Sequence, residues 1–238
     1  MNYLFIKPDI LKTTNFAEMN SKSKKLKYYQ KAKEELDDQY TVNDIKNIIE
    51  NSILKDEYIN NMKNFDTDIL YKSEGHGIDH NIRVSFFAYI ISTNENISSK
   101  DFALITEACK YHDIGRENDL EDKLHGTRSA KMINFLEDKY PDEELNYLKT
   151  IITCHSLNDK EFEKVAIKNG IKDIERCKKM HEILKDSDGL DRVRLKYPYV
   201  NIKYLRTKTA KRMILFSHEL FYNYNIILDD SNQKITNY

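Results

Sequence analysis

Apolar residues recur along this chain at three- and four-residue intervals, the period of a helix with one buried face. The pattern is clearest over 78–92, where Ile78, Ile82, Phe86, Tyr89 and Ile90 form one stripe. It returns in Phe102, Ile105, Ala108, Cys109 and Tyr111. Ser98, with Asp101 three residues on, can cap that second segment, and Gly115 marks its end. Further helices are predicted over 41–60, 123–139 (stopped by Pro141), 143–155, 173–184 and 209–224. No stretch alternates as a strand would. The expected fold class is all-α, a helical bundle.

Composition agrees. Six glycines and three prolines are few for a turn-rich β chain of 238 residues. A 40% apolar content supports a sizeable core and argues against wholesale disorder. The longest apolar run, 86–91, is too short to span a bilayer. The first eleven residues lack the basic-then-apolar pattern of a secretory signal. Three cysteines, with no CxxC spacing, fit neither a disulfide framework nor a zinc ribbon and suggest a reduced, cytoplasmic setting. A net charge of -1 gives no global pull toward nucleic acid or anionic lipid.

The chain divides into an N-terminal helical extension (1–70), a core that carries the chemistry (71–195) and a C-terminal helical segment packed on it (196–238). Residues 192–218 hold eight Lys and Arg and no Asp or Glu. That strip reads as solvated surface or as a cleft mouth attracting a phosphorylated small molecule; nucleic acid is the least favoured partner, and self-association is left open.

The candidate chemistry lies in histidines and aspartates. His112-Asp113 is an adjacent pair at the end of an apolar helix. Burying two unpaired polar groups there costs several kcal/mol, and a metal ion would satisfy both. His80 sits early on the preceding helix, and Asp188 after a later one. Distant helices of a bundle can supply ligands to one cation. Five of the six glycines (Gly75, Gly77, Gly115, Gly126, Gly189) sit beside these positions.

The ordered series His80, His112-Asp113-Ile114-Gly115 and Asp188-Gly189-Leu190-Asp191-Arg192 resembles the HD-domain superfamily of metal-dependent phosphohydrolases. His80-x-x-Arg83-Val84, His125-Gly126-x-x-Ser129-Ala130 and Ile152-x-x-His155-Ser156 are similar to that family's usual company. The resemblance covers 71–195. It implies that His80, His112, Asp113 and Asp188 bind a divalent cation (Mn, Fe, Co, Ni, Mg or Zn), and that His125 and His155 hold a second metal or face the substrate phosphate. It implies hydrolysis of a phosphoester or phosphoanhydride, in a nucleotide, by metal-activated water. The alternatives are a nucleotide-sensing module without catalysis and a di-iron oxygenase. The cyclic-dinucleotide branch is disfavoured by the lack of a histidine pair at 155 and of a Gly-Tyr-Pro signature. The guanosine-tetraphosphate hydrolases are disfavoured by Arg116-Glu117-Asn118-Asp119 in place of their Glu-Asp pair.

Within that frame Asp113 is expected to be both ligand and proton acceptor. Arg83 and Lys185 are expected to assist at the phosphate, with a salt bridge to Asp188 or Asp191 as the alternative for Arg83. His76 and Arg116 are candidate substrate contacts. His181 and His218 read as ordinary helix residues, and Cys109 and Cys154 as small buried apolar groups.

Overall fold

The computed structural model describes residues 24–63, 65–73, 75–195 and 200–222, and among them all regular structure is helical. The helices are α1 (Lys24–Glu35), α2 (Val42–Glu50), α3 (Lys55–Lys63), α4 (Ile78–Asn94), α5 (Ser99–Tyr111), α6 (His125–Met132), α7 (Asp142–His155), α8 (Phe162–Lys168), α9 (Ile174–Leu190) and the short α10 (Lys208–Lys211). Residues 214–222 are helical as well. No helix among the described residues is long and apolar enough to cross a membrane.

Helix α4 is the axle. The stripe predicted for it would bury one face, yet every residue from His80 to Ser92 is buried. Helices α2, α5 and α9 pack around it, α7 closes the bundle against α5 and α9, and α6 lies along α7. A helix sealed on all sides buries its polar groups with it, and only some of them find partners: among the described residues the Ser85, Tyr89 and Ser92 hydroxyls have none. Asn81 donates to the carbonyl of Lys110 at 2.9 Å, and Arg83 reaches Asp191. The Ser98 cap forms as expected, its hydroxyl accepting from the Asp101 N–H at 3.1 Å. Asp101 itself turns to Arg176 on α9.

Several boundaries differ from the periodic reading. The helix expected over 41–60 breaks into α2 and α3. Asn51 folds back on the carbonyl of Asn47, and the Ser52 hydroxyl accepts from the Leu54 N–H, so local side-chain bonds replace the helical ladder. Ile53, counted in the stripe, is 85% exposed while Leu54 is buried. The helix expected over 123–139 ends at Met132 and tightens into a 3-10 turn over Ile133–Leu136. The helix expected over 209–224 is interrupted at Arg212, which Asp38 and Tyr40 clamp; its residues 223–224 lie outside the described residues. Helix α8 was not foreseen. Asp188, expected after a helix, stands in the last turn of α9.

Candidate metal centre

Four imidazoles from four different segments point at one another in the middle of the bundle. His80 stands in the first turn of α4, His112 just past the end of α5, His125 at the start of α6 and His155 at the end of α7. All four are buried. The tight α6 contacts depend on two glycines. A Cβ on Gly115 would lie 2.4 Å from the Ser129 nitrogen, and one on Gly126 would lie 2.6 Å from the Ile152 carbonyl. Gly115 has no positive φ, so close approach, not backbone freedom, explains it. These contacts bring His125 and His155 together beside Asp113.

The Nδ1 partners assign the tautomers. His80 Nδ1 lies 2.7 Å from the Asp191 carboxylate. His112 Nδ1 lies 3.0 Å from the Cys109 carbonyl, His155 Nδ1 lies 2.6 Å from the Ile152 carbonyl, and His125 Nδ1 meets the Asp122 carbonyl. Each partner can only accept, so each Nδ1 carries a hydrogen, and a ring in its neutral form turns its Nε2 lone pair inward. Burial lowers His80 and His155 to about 4, so both are neutral at pH 7.

The inward atoms are crowded with acceptors. The Nε2 atoms of His80 and His112 are 3.2 Å apart, and those of His125 and His155 are 2.8 Å apart. Asp113 sits between the pairs. Its Oδ2 is 3.6 Å from both His80 and His112, and its Oδ1 is 3.0 Å from His125 and 3.6 Å from His155. Asp188 Oδ1 adds a further acceptor, 3.4 Å from His80 Nε2. Lone pairs at such distances repel unless a cation stands among them. Ligand atoms about 2.1 Å from a shared ion, at tetrahedral or octahedral angles, lie about 3.0–3.4 Å apart. Two triads, His80–His112–Asp188 and His112–Asp113–His155, each keep their ligand atoms within 4.8 Å of one another and can hold a metal ion.

Asp113 Oδ1 is buried and has no hydrogen-bond donor. Arg116 Nε is 3.0 Å away, but the angle makes an ion pair without a hydrogen bond, and that nitrogen is also unsatisfied. An unmet buried acceptor costs about 1–3 kcal/mol, more when charged. Burial alone would raise the Asp113 carboxyl; positive charge at the surrounding positions, His112 foremost, holds it well below the usual carboxylate range, and with the rings neutral a bound cation would supply that charge. Burial would likewise raise Asp188, and His80 and His112 outweigh it. Both carboxylates are therefore ionised at neutral pH. The donor set, imidazole nitrogens with carboxylate oxygens, fits a divalent cation.

No family model, no curated protein and no solved structure matches this chain. Its own geometry therefore carries the reading.

The structure brings His80, His112, Asp113, Asp188, His125 and His155 to one place. Arg116 stands at the rim. His76 lies above His80, ring centres 5.8 Å apart, and holds Asp119 at 2.9 Å. Two expectations are corrected. Arg83 does not face a substrate: buried on α4, it grips Asp191 through Nε at 2.6 Å and Nη2 at 3.0 Å. Its alternative, a salt bridge to Asp191, is the one observed. Lys185 lines a cavity beside Asp188, but its ammonium is committed to the Leu157 carbonyl and, at 2.6 Å, to Asp159.

Asp191 was offered by the sequence only as a partner for Arg83, and its bond to His80 was not foreseen. It is fully buried, joins Arg83 to His80, and is ionised, because Arg83, His80 and Arg194 outweigh its burial and bring it to about 2. A carboxylate on the far nitrogen of a ligating histidine fixes its tautomer and raises its basicity. The signal was present as the last acid of the Asp188–Asp191 string. All three cysteines are free and buried, and burial pushes Cys154 and Cys177 up to about 12, so neither is a thiolate nucleophile.

Proposed function

We propose that this chain is a metal-dependent phosphohydrolase of the HD-domain type, cleaving a phosphoester or phosphoanhydride bond of a nucleotide. The observation that carries the reading is Asp113: a buried, ionised carboxylate placed between two pairs of inward-facing imidazole lone pairs, with no hydrogen bond to Oδ1. His80, His112, Asp188 and Oδ2 of Asp113 would hold one cation. His125, His155 and Oδ1 of Asp113 would hold a second. Four imidazoles favour Mn, Fe, Co, Ni or Zn over Mg, which prefers an all-oxygen shell. A bound divalent cation supplies acidified water, its pKa brought from 15.7 toward about 7, and positive charge for a phosphoryl oxygen.

The chain's own residues then have defined work. Asp191, locked by Arg83, keeps the His80 Nε2 lone pair free for ligation. Asp113 stays ionised and offers an oxygen to a proton as well as to an ion. Arg116 beside Asp113 supplies a guanidinium at the rim, where a phosphate oxygen would approach. The buried walls keep bulk water off the centre and strengthen each of these interactions.

The test is to strip the protein, reload it with Mn, Ni, Co or Mg, and screen nucleotides for phosphate or monoester release. Stoichiometric metal and turnover, both lost in Asp113→Ala, are expected. Unchanged turnover in that variant refutes the reading. Metal retained with no hydrolysis would favour a sensing module, and oxygen uptake by an iron-loaded form would favour an oxygenase.

A further inference from the structure

A guanidinium has an edge that donates and two faces that do not. The edge of Arg83 is spent on Asp191, Nε on Oδ1 at 2.6 Å and Nη2 on Oδ2 at 3.0 Å. That second oxygen is also the one that meets His80 Nδ1, at 2.7 Å. Asp191 therefore aims at His80 in the rotation that Arg83 imposes, and a carboxylate turned about its bond would carry Oδ2 off the imidazole. One face of Arg83 is covered by the ring of Phe221, whose centre lies 5.1 Å from the guanidinium carbon. An aromatic ring in that place attracts the cation and excludes water without taking any of its donors. Water admitted at the same face would compete for the N–H groups and screen the ion pair.

Phe221 comes from far along the chain, in the helix over 214–222. Two contacts lay that helix along α4. Phe216 meets Phe87 edge-on, ring centres 6.4 Å apart, and Phe221 meets Arg83 one turn nearer His80. The two phenylalanines thus sit on the same pair of helices with different partners: Phe216 touches an apolar ring, and Phe221 touches the charge that orients Asp191. Residues of the N-terminal extension grip this helix near both ends. The Gln39 side-chain amide spans the break before it, donating to the Lys211 carbonyl at 2.8 Å and accepting from the Leu215 N–H at 3.2 Å. The Tyr29 hydroxyl donates to Glu219 at 3.1 Å. The ring is therefore presented to Arg83 by a helix fixed from two sides.

We propose that Phe221 is a positioning residue for the metal centre: it seals Arg83 and, through Asp191, holds His80 with Nε2 toward the ion, so that the helix over 214–222 sets how tightly the His80 site takes a divalent cation. This rests on the metal-dependent reading above and is independent of which bond that centre cleaves.

The experiment measures, on the full chain, manganese affinity by competition against a chelator, stability in urea and, without metal, the imidazole nitrogen resonances of His80, which report its tautomer. Phe221→Leu should weaken manganese binding about tenfold and bring in a second His80 tautomer, and Phe221→Tyr should restore both. Phe216→Leu should lose stability with manganese affinity and the His80 resonances unchanged. In an Asp191→Asn background Phe221→Leu should cost no further affinity, since residues that act through one another are not additive. Manganese affinity and His80 resonances left at wild-type values by Phe221→Leu, losses matched by Phe216→Leu, or losses that add in full to those of Asp191→Asn overturn the proposal. A wild-type chain that binds no manganese, with a His80 tautomer that still depends on Phe221, upholds the positioning role and overturns the metal-dependent reading. Manganese binding indifferent to Phe221 does the reverse.

Discussion

Asp113 and Asp186 are both buried carboxylates in the same bundle, and they could hardly be treated more differently. Asp186 receives the Arg206 N–H, the Thr207 N–H at 2.7 Å, the Thr207 hydroxyl at 2.9 Å and the Arg206 guanidinium at 3.1 Å. Both of its oxygens are met, and what it achieves is to tie residues 206–207 to α9. Asp113 receives no hydrogen bond at Oδ1 and faces the Nε2 atoms of four imidazoles whose Nδ1 atoms already hold a hydrogen for another acceptor. Burial is common to both and so says nothing about purpose. Satisfaction separates them: a buried charge whose acceptors are all met belongs to the fold, and one left short points to a missing cation.

The sharpest way to break that contrast is to neutralise each acid in turn. Asp186→Asn turns an amide toward N–H groups that need an acceptor, and should cost about 3 kcal/mol of stability in urea unfolding. Its metal content should be retained. Asp113→Asn should do the opposite, leaving metal-free stability within about 1 kcal/mol of wild type while weakening metal binding more than about hundredfold. If both variants lose stability equally and both keep their metal, the distinction is void.

A smaller effect is expected one step out from the centre. Asp191→Asn leaves all proposed ligands in place but no longer enforces the His80 tautomer, so metal affinity should fall about 10- to 100-fold. Competition against a chelator would measure this, and an unchanged affinity would show that Arg83–Asp191 is structural only.

The mildest effect concerns a satisfied neutral group. His181 stacks on Phe162 and its Nε2 lies 3.3 Å from the Cys154 carbonyl, to which it donates. Burial lowers its pKa from 6.5 to about 3. Between those values the unfolded chain takes up a proton that the folded chain excludes, so the stability His181 contributes is present above pH 6.5 and drains away as pH falls toward 3. His181→Phe should flatten the slope of stability against pH from 7 to 5 in denaturant titrations, relative to wild type, and a parallel slope would refute this.

The sequence reading reached α4 and α7 to within two residues and the capped start of α5, because their stripes are long and these ends carry a cap or a turn; it ran α5 on to Gly115, four residues past its end at Tyr111. It brought forward the six histidines and aspartates that now cluster, through motif order. It failed where the decisive partner is remote. Nothing local ties His80 to Asp191, 111 positions away, or Lys185 to Asp159. Lys185 looked free to bind phosphate because its partner Asp159 comes from another segment, whereas for Arg83 the sequence had already offered Asp191 as an alternative. The break at 51–54 escaped because side-chain bonds of Asn51 and Ser52 override an apolar period that runs on through Ile53. Complete burial of α4 was equally out of reach, since periodicity reports one covered face and not how many neighbours arrive.

Gly126 has one more consequence. Its hydrogen faces the Ile152 carbonyl across a gap that cannot admit a methyl group, and His125 and His155 are carried by the two helices that meet there. The spacing of those rings is thus set by an atom that is absent. A single added carbon at this spot would pry the helices apart and detune the centre with every donor atom still in the chain. Surveys that substitute only the coordinating side chains would pass over the hinge on which their alignment turns.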